Sequence, residues 1–229
     1  MTLFDDFIAL FYPRTCMACG NTLFHNEEVV CTSCLLHLPR TGFHKIKDNP
    51  VAKVFWGRVN LESAAALYYY RKGGKVQHLI HQMKYSGHKE IGIFLGELYG
   101  SSLKKSKYFE TVDTVIPIPL HKNKLKKRGF NQAEMFAKGI ANTMDIEIDT
   151  DSVYRDVETS TQTKKSRYKR WENVSDIFKL RDLDALSEKH VLVVDDVITT
   201  GSTMEACVNT LQKVPGIRIS VASIGFPVH

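Results

Sequence analysis

No apolar run in the chain approaches the roughly 20 residues that a membrane-spanning helix needs. The apolar start, Leu3 to Tyr12, carries Asp5 and Asp6 and no basic lead-in, so it does not read as a signal peptide. A short amphipathic helix packed on the body is expected there. Without an export signal the expected compartment is the cytoplasm, where thiols stay reduced. No internal repeat is visible. An acidic excess is absent too: Lys plus Arg number 31 and Asp plus Glu 25, a net charge of +6. That balance suits a polyanionic ligand without identifying one. Cysteine is scarce, with five residues in 229.

Four of those five are paired, as Cys16-Met-Ala-Cys19 and Cys31-Thr-Ser-Cys34. Two Cys-x-x-Cys knuckles in a reducing compartment predict a tetrahedral thiolate site for structural Zn²⁺ built from Cys16, Cys19, Cys31 and Cys34. Gly20, directly after the first pair, suits the tight turn of a knuckle. His25 lies between the pairs and is expected on the surface, because four sulfurs already close the site. Cys207 stands alone and reads as a small buried residue.

The stretch 191–203 draws a site in one line: Val-Leu-Val-Val-Asp-Asp-Val-Ile-Thr-Thr-Gly-Ser-Thr. Val191 to Val194 predict a buried strand, with Asp195 and Asp196 where it ends. Thr199, Thr200, Gly201, Ser202 and Thr203 form a loop, and a helix is expected from about Met204. In an open parallel sheet, ligands bind beyond the carboxyl ends of the strands. A loop opening a helix there offers free N–H groups, hydroxyls and the positive end of the helix dipole to a phosphate. The two carboxylates cannot bind that phosphate. They can accept hydrogen bonds from a diol such as a ribose, or face a bound Mg²⁺. Loop and acids together specify a sugar phosphate. The competing reading is an ordinary acidic turn before a helix capped by Ser202 or Thr203.

Hydrophobic residues at 43% and charged residues at 24% are ordinary for a globular protein, and the length suits one α/β domain plus a small module. Residues 1–40 read as an N-terminal helix and zinc module, 41–60 as a linker, and 61–229 as the main domain. Strands are expected over 63–70, 112–118, 174–180, 191–194 and 217–226. Helices are expected over 75–83, 91–103, 131–142 and 204–213. The strand at 112–118 is expected to break at Pro117 and Pro119. Strands alternating with helices imply a parallel sheet.

Two further segments are dense in cations. Lys122, Lys124, Lys126, Lys127 and Arg128 lead into Gly129-Phe130-Asn131-Gln132. The run reads either as a solvated helix lead-in or as a site. Phe130 offers a ring for base stacking, and Asn131 can cap the following helix. A second segment, 159–173, contains Lys164, Arg167, Tyr168, Arg170 and Trp171. It suits a track for single-stranded nucleic acid or a surface loop.

The Asp-Asp-x-x-Thr-Thr-Gly stretch resembles the phosphoribosyl-pyrophosphate motif of type I phosphoribosyltransferases. That resemblance implies that Asp195 and Asp196 hold the ribose 2′- and 3′-hydroxyls and that Thr199, Thr200, Gly201, Ser202 and Thr203 hold the 5′-phosphate. It also implies a pyrophosphate loop at Pro119, Leu120, His121 and Lys122, a lid near 159–173, and Mg²⁺ arriving with the pyrophosphate. The order of the zinc knuckles, Lys84-Tyr85-Ser86-Gly87, Pro117-Ile118-Pro119-Leu120, Arg128-Gly129-Phe130-Asn131-Gln132, Thr161-Gln162 with Arg170 and Asn173, and the acidic motif is similar to that of the ComF family of competence-associated proteins. The family implies an α/β fold of type I phosphoribosyltransferase kind, a parallel sheet flanked by helices, with a small four-cysteine zinc module. It further implies a role in natural transformation, with single-stranded DNA as a partner and a competence helicase or other DNA-processing protein as another. No segment reads as a hood that would select a purine, pyrimidine or amine acceptor, so an active transferase and a binding protein both stay open. A regulator that senses phosphoribosyl pyrophosphate is the third reading, and no recognition helix supports it.

Overall fold

The computed structural model describes residues 13–155, 177–182 and 184–228. The expected N-terminal helix, and the lid or track residues Lys164, Arg167, Tyr168, Arg170 and Trp171, lie outside the described residues. Seven strands are present: β1 Ser63–Tyr70, β2 Thr114–Pro117, β3 Glu147–Ile148, β4 Val153–Arg155, β5 Phe178–Leu180, β6 His190–Val197 and β7 Arg218–Pro227. Five of them form one parallel sheet in the order β1-β7-β6-β2-β3. The apolar runs that read as strands are those buried on both faces: Ala64 to Tyr68, Val191 to Val194 and Ile219 to Ile224.

Strand β2 ends at Pro117, one of the two positions where a break was expected, and Pro117 itself stays in the sheet. Val115 accepts from Asp149 N on the β3 side of β2, and Ile118 N donates to Val194 O on the β6 side. Alternation along β2 turns the Pro117 nitrogen toward β3, which has already ended at Ile148. No ladder bond is lost there, the one arrangement in which a sheet tolerates proline. Of the strand expected over 174–180, residues 174–176 lie outside the described residues; β5 pairs antiparallel with β4, as Val153↔Leu180 and Arg155↔Phe178, in a separate two-stranded sheet.

Seven α-helices are described: α1 Thr32–His37, α2 Pro50–Phe55, α3 Lys75–Tyr85, α4 Lys89–Leu103, α5 Lys122–Arg128, α6 Gln132–Met144 and α7 Ser202–Leu211. The 3.6-residue period expected over 75–83 is real, with Val76, Leu79, Ile80 and Met83 buried on one face of α3. Helices α4 and α6 approach through glycine. A Cβ on Gly96 would meet Gly139 Cα at 2.9 Å, and one on Gly100 would meet Ile140 O at 3.1 Å.

The segment 41–60 is not a linker. It carries a 3₁₀ turn at Phe43–Lys45 and helix α2, and it buries Phe43, Val51 and Phe55 in the core. Asn49 organises it. Its Oδ1 accepts from Val51 N and Ala52 N, while its Nδ2 donates to Ile46 O and to Ala64 O on β1. One buried asparagine thus caps α2 and ties it to the sheet edge. The period was hidden because a six-residue helix is too short to show one.

Candidate functional site

Strand β6 runs on through both acids to Val197, three residues past the expected end. The extension follows from pairing: Asp195 lies opposite Ser223 and Val197 opposite Gly225 on β7. Consecutive strand residues point to opposite faces, so the two carboxylates leave the backbone on different sides. Asp195 Oδ1 accepts from Asp196 N at 2.8 Å. Asp196 Oδ2 receives the ammonium of Lys84, 2.7 Å away at the end of α3. Burial and then the neighbouring Asp196 charge push the Asp195 carboxyl up to about 7, against the pull of Lys84 and Lys124.

The acids lie in a cleft with Lys84, Pro119, Leu120, Lys124, Arg128, Asn131, Arg155 and Thr203. Four cations therefore face two carboxylates, the charge balance an anion carrying a diol requires. Asn131 builds one wall. Its Oδ1 accepts from Ala133 N, capping α6 as expected, and its Nδ2 donates to Ile118 O at the end of β2. Arg128 is held by Gln132 Oε1 at 2.7 Å and lies 5.7 Å from the Tyr85 ring centroid.

Beside the cleft, the loop 199–201 turns into α7 two residues earlier than expected, at Ser202. Gly201 is the N-cap, and no side chain caps the helix. Its φ of 73° favours glycine. A Cβ there would also meet Phe55 Cε1 and Val54 Cγ1, both at 2.9 Å. Ser202 and Thr203 are thus not the caps of an ordinary acidic turn. Thr200 Oγ1 and Ser202 Oγ lie 3.0 Å apart. Arg58, just beyond α2, donates to Thr200 O at 2.7 Å and pairs with Glu205 on α7. The segment expected as a linker therefore supports the loop from behind.

The structure sorts the expected residues. Asp195, Asp196, Thr203, Pro119, Leu120, Arg128 and Asn131 line the cleft, and Thr199, Thr200, Gly201 and Ser202 form the adjoining loop. His121 caps α5 instead, its Nδ1 accepting from Asn123 N, and Lys122, Lys126 and Lys127 are exposed on that helix. Phe130 corrects an expectation: at 6% exposure its ring belongs to the core, with Lys89 Nζ 5.5 Å from its centroid, and it cannot stack on a base. Arg155 was missed as a site residue, while Lys84 stood only in the motif order and Lys124 only in the basic run, neither placed at the acids. Lys84 and Arg155 arrive from α3 and β4, far away in sequence. For Arg155 no local signal exists, since an isolated arginine in a polar stretch is indistinguishable from a surface one.

The four knuckle cysteines converge. Their Sγ atoms all lie within 4.8 Å of one another. A Zn–S distance of about 2.3 Å implies S···S edges of about 3.8 Å, and Cys19 and Cys31 sulfurs stand 3.9 Å apart. The donor set fits Zn²⁺. Burial raises the Cys16 thiol, but the N–H groups of Cys31, Ala18 and Cys19 outweigh it and bring it down to about 7. Cys34 is pushed up to about 12 by burial, with Lys75 opposing through an Nζ–H···S contact of 3.2 Å. His25 is exposed and outside the cluster, and Cys207 is buried, both as expected. Mg²⁺ fits less well at the acidic pair. Asp196 is already neutralised by Lys84, so two free carboxylates are not on offer.

Residues 125–224 match the model of the phosphoribosyl transferase domain. The chain is 31% identical over 129 residues to "DNA utilization protein YhgH" of Shigella flexneri, covering 55% of this chain and 56% of that protein. It is 31% identical over 119 residues to "Competence protein F" of Haemophilus influenzae, covering 52% of each. It thus spans about half the length of the curated relatives it matches. A solved glutamine phosphoribosylpyrophosphate amidotransferase from B. subtilis shares 17% identity over 62% of this chain and 30% of that one, at a TM-score of 0.42. The strand order and the matched domain make this a protein of the phosphoribosyltransferase fold. Over about half its length the chain is similar to these competence and DNA-utilization proteins, in keeping with the ComF-like order of its motifs.

Proposed function

We propose that the chain binds phosphoribosyl pyrophosphate, or another phosphorylated ribose, in the cleft at Asp195 and Asp196, and that it handles single-stranded DNA during DNA uptake. The observation that carries the first half is the cleft itself: two carboxylates and four cations beside an α7 N-terminus that no side chain caps. The ribose hydroxyls donate to the carboxylates. The 5′-phosphate takes the N–H groups and hydroxyls of Thr199 to Thr203. Any Mg²⁺ comes on the pyrophosphate of the ligand. The second half is supported by the names of the relatives and by α5, whose Lys122, Lys124, Lys126 and Lys127 are all exposed. The cysteine module holds Zn²⁺ and docks a DNA-processing partner such as a helicase.

Calorimetric titration with phosphoribosyl pyrophosphate and Mg²⁺ tests the cleft. Wild type should bind, and Asp195→Asn with Asp196→Asn should abolish binding; retained binding would refute the assignment. A pyrophosphate-release assay across candidate acceptors then separates the enzyme from the binding protein. In the enzyme, the acceptor's lone pair forms the new bond at ribose C1 as the C1–O bond breaks, and pyrophosphate leaves with that electron pair. Binding without release favours a fold turned to recognition.

A further inference from the structure

Two adjacent carboxylates at the mouth of a phosphate site repel each other and the incoming anion, so something must neutralise them. Four cations line the cleft, and among the described residues Lys84 alone is ion-paired to the acids, with Nζ 2.7 Å from Asp196 Oδ2. The pair is largely shielded, its side chains 21% and 12% exposed. Lys84 is not carried by the strand and loop of the acids. It sits in the last turn of α3, and that helix is fixed along its length. Val76, Leu79, Ile80 and Met83 bury one face, Ser86 N closes the last turn on Gln82 O, and Lys75 in the first turn contacts Cys34 Sγ. The ammonium is therefore delivered to the carboxylate by a rigid element anchored at both ends.

We infer that Lys84 is the resident cation of the acidic pair: it occupies the place a protein-held divalent metal would take, so that phosphorylated ribose binds at Asp195 and Asp196 without one. The inference rests on the phosphoribose reading of the cleft. A carboxylate paired to one ammonium keeps acceptor capacity for a ribose hydroxyl, and the ammonium keeps donors for a ribose oxygen. A metal would have to displace a shielded lysine, whereas a metal on the ligand's pyrophosphate need not. Lys84 is thus a positioning and specificity residue, setting which ligands the site accepts without metal.

The test uses the zinc-loaded full chain in buffer stripped of divalent ions by a chelating resin, which leaves the structural metal in place. Ribose 5-phosphate should bind wild type with equal affinity whether or not millimolar Mg²⁺ is added. Lys84→Met should bind on the order of tenfold more weakly without metal, from loss of a charged contact, and Mg²⁺ should restore it. Lys84→Arg, which keeps the charge, should bind independently of Mg²⁺ whatever its affinity. Titration with Mn²⁺ alone, followed by electron paramagnetic resonance, should show one ion taken up at the cleft by Lys84→Met and none by wild type. That uptake should vanish when Asp196→Asn is added. Mg²⁺-dependent binding by wild type, or unchanged metal-free binding by Lys84→Met, would overturn the inference. If wild type binds neither ribose 5-phosphate nor phosphoribosyl pyrophosphate, the phosphoribose reading fails. The Mn²⁺ titration then still decides the lysine: uptake by the variant alone supports its role, and equal uptake by both proteins refutes it.

Discussion

Folding changes the chemistry of Asp195, at the centre of the cleft. Burial and the Asp196 charge raise its carboxyl to about 7, so the folded state favours the protonated form. A group raised in this way contributes stability below its unfolded value, and that contribution is lost as pH rises through about 7. Ligand binding has the opposite sign, because a ribose hydroxyl needs the ionised carboxylate as acceptor. Affinity for ribose 5-phosphate should therefore rise several-fold from pH 6 to pH 8, with proton release measurable by calorimetry in buffers of different ionisation heat. The ligand's own phosphate titrates near pH 6. Asp195→Asn is the control, and should keep only the shallower dependence of the phosphate. At this scale the sequence already displayed the acids, the loop and the asparagine cap. It could not display Lys84 or Arg155, whose proximity to Asp195 and Asp196 comes from folding alone.

Among elements, the joint between α4 and α6 is the most demanding. Gly96 and Gly139 let the two backbones touch, and any side chain at either must push the helices apart. Gly139→Ala, a substitution that favours an isolated helix, should here cost about 2 kcal/mol and lower Tm by on the order of 5 °C in calorimetry. A neutral or stabilising result would mean that the helices can separate without loss. Helix α6 also carries the Asn131 cap at the cleft wall, so this joint positions the site from below. The period of α3 was legible because it buries one face over three turns. Helix α2 and strand β4 were not, because their partners are supplied by the sheet and not by neighbours in sequence.

Across the molecule, the cysteine module and the sheet share one core. Cys16, Leu23, Val30 and Cys34 belong to the same buried cluster as Tyr68 and Phe226. Lys75 joins the module to α3, whose far end presents Lys84 to Asp196. Stripping the proposed Zn²⁺ with a strong chelator should therefore lower the Tm of a single unfolding transition. Two separate transitions would mean that the module is an independent unit. The proposed nucleic-acid binding would draw on the whole charge distribution. Affinity for single-stranded oligonucleotides should fall steeply between 50 and 200 mM salt. Lys126→Ala with Lys127→Ala and Arg128→Ala should weaken it with little dependence on base sequence and flatten the salt slope; a salt-independent affinity would rule out the basic track.

The sequence by itself determined what is local: the buried strands, the amphipathic α3, the helix α6, the paired cysteines, and the run from Val191 to Thr203 that joins strand, acids and loop. Each is a contiguous pattern whose physical meaning survives without knowledge of the rest of the chain. Only the tertiary structure decided which cations meet the acids, that Phe130 is core and not a stacking platform, that Pro117 sits where β2 has lost its neighbour, and that 41–60 supports the 199–201 loop through Phe55 and Arg58. These depend on distances between residues separated by tens of positions. Sheet order and helix packing fix such distances, and no residue carries a local mark of them.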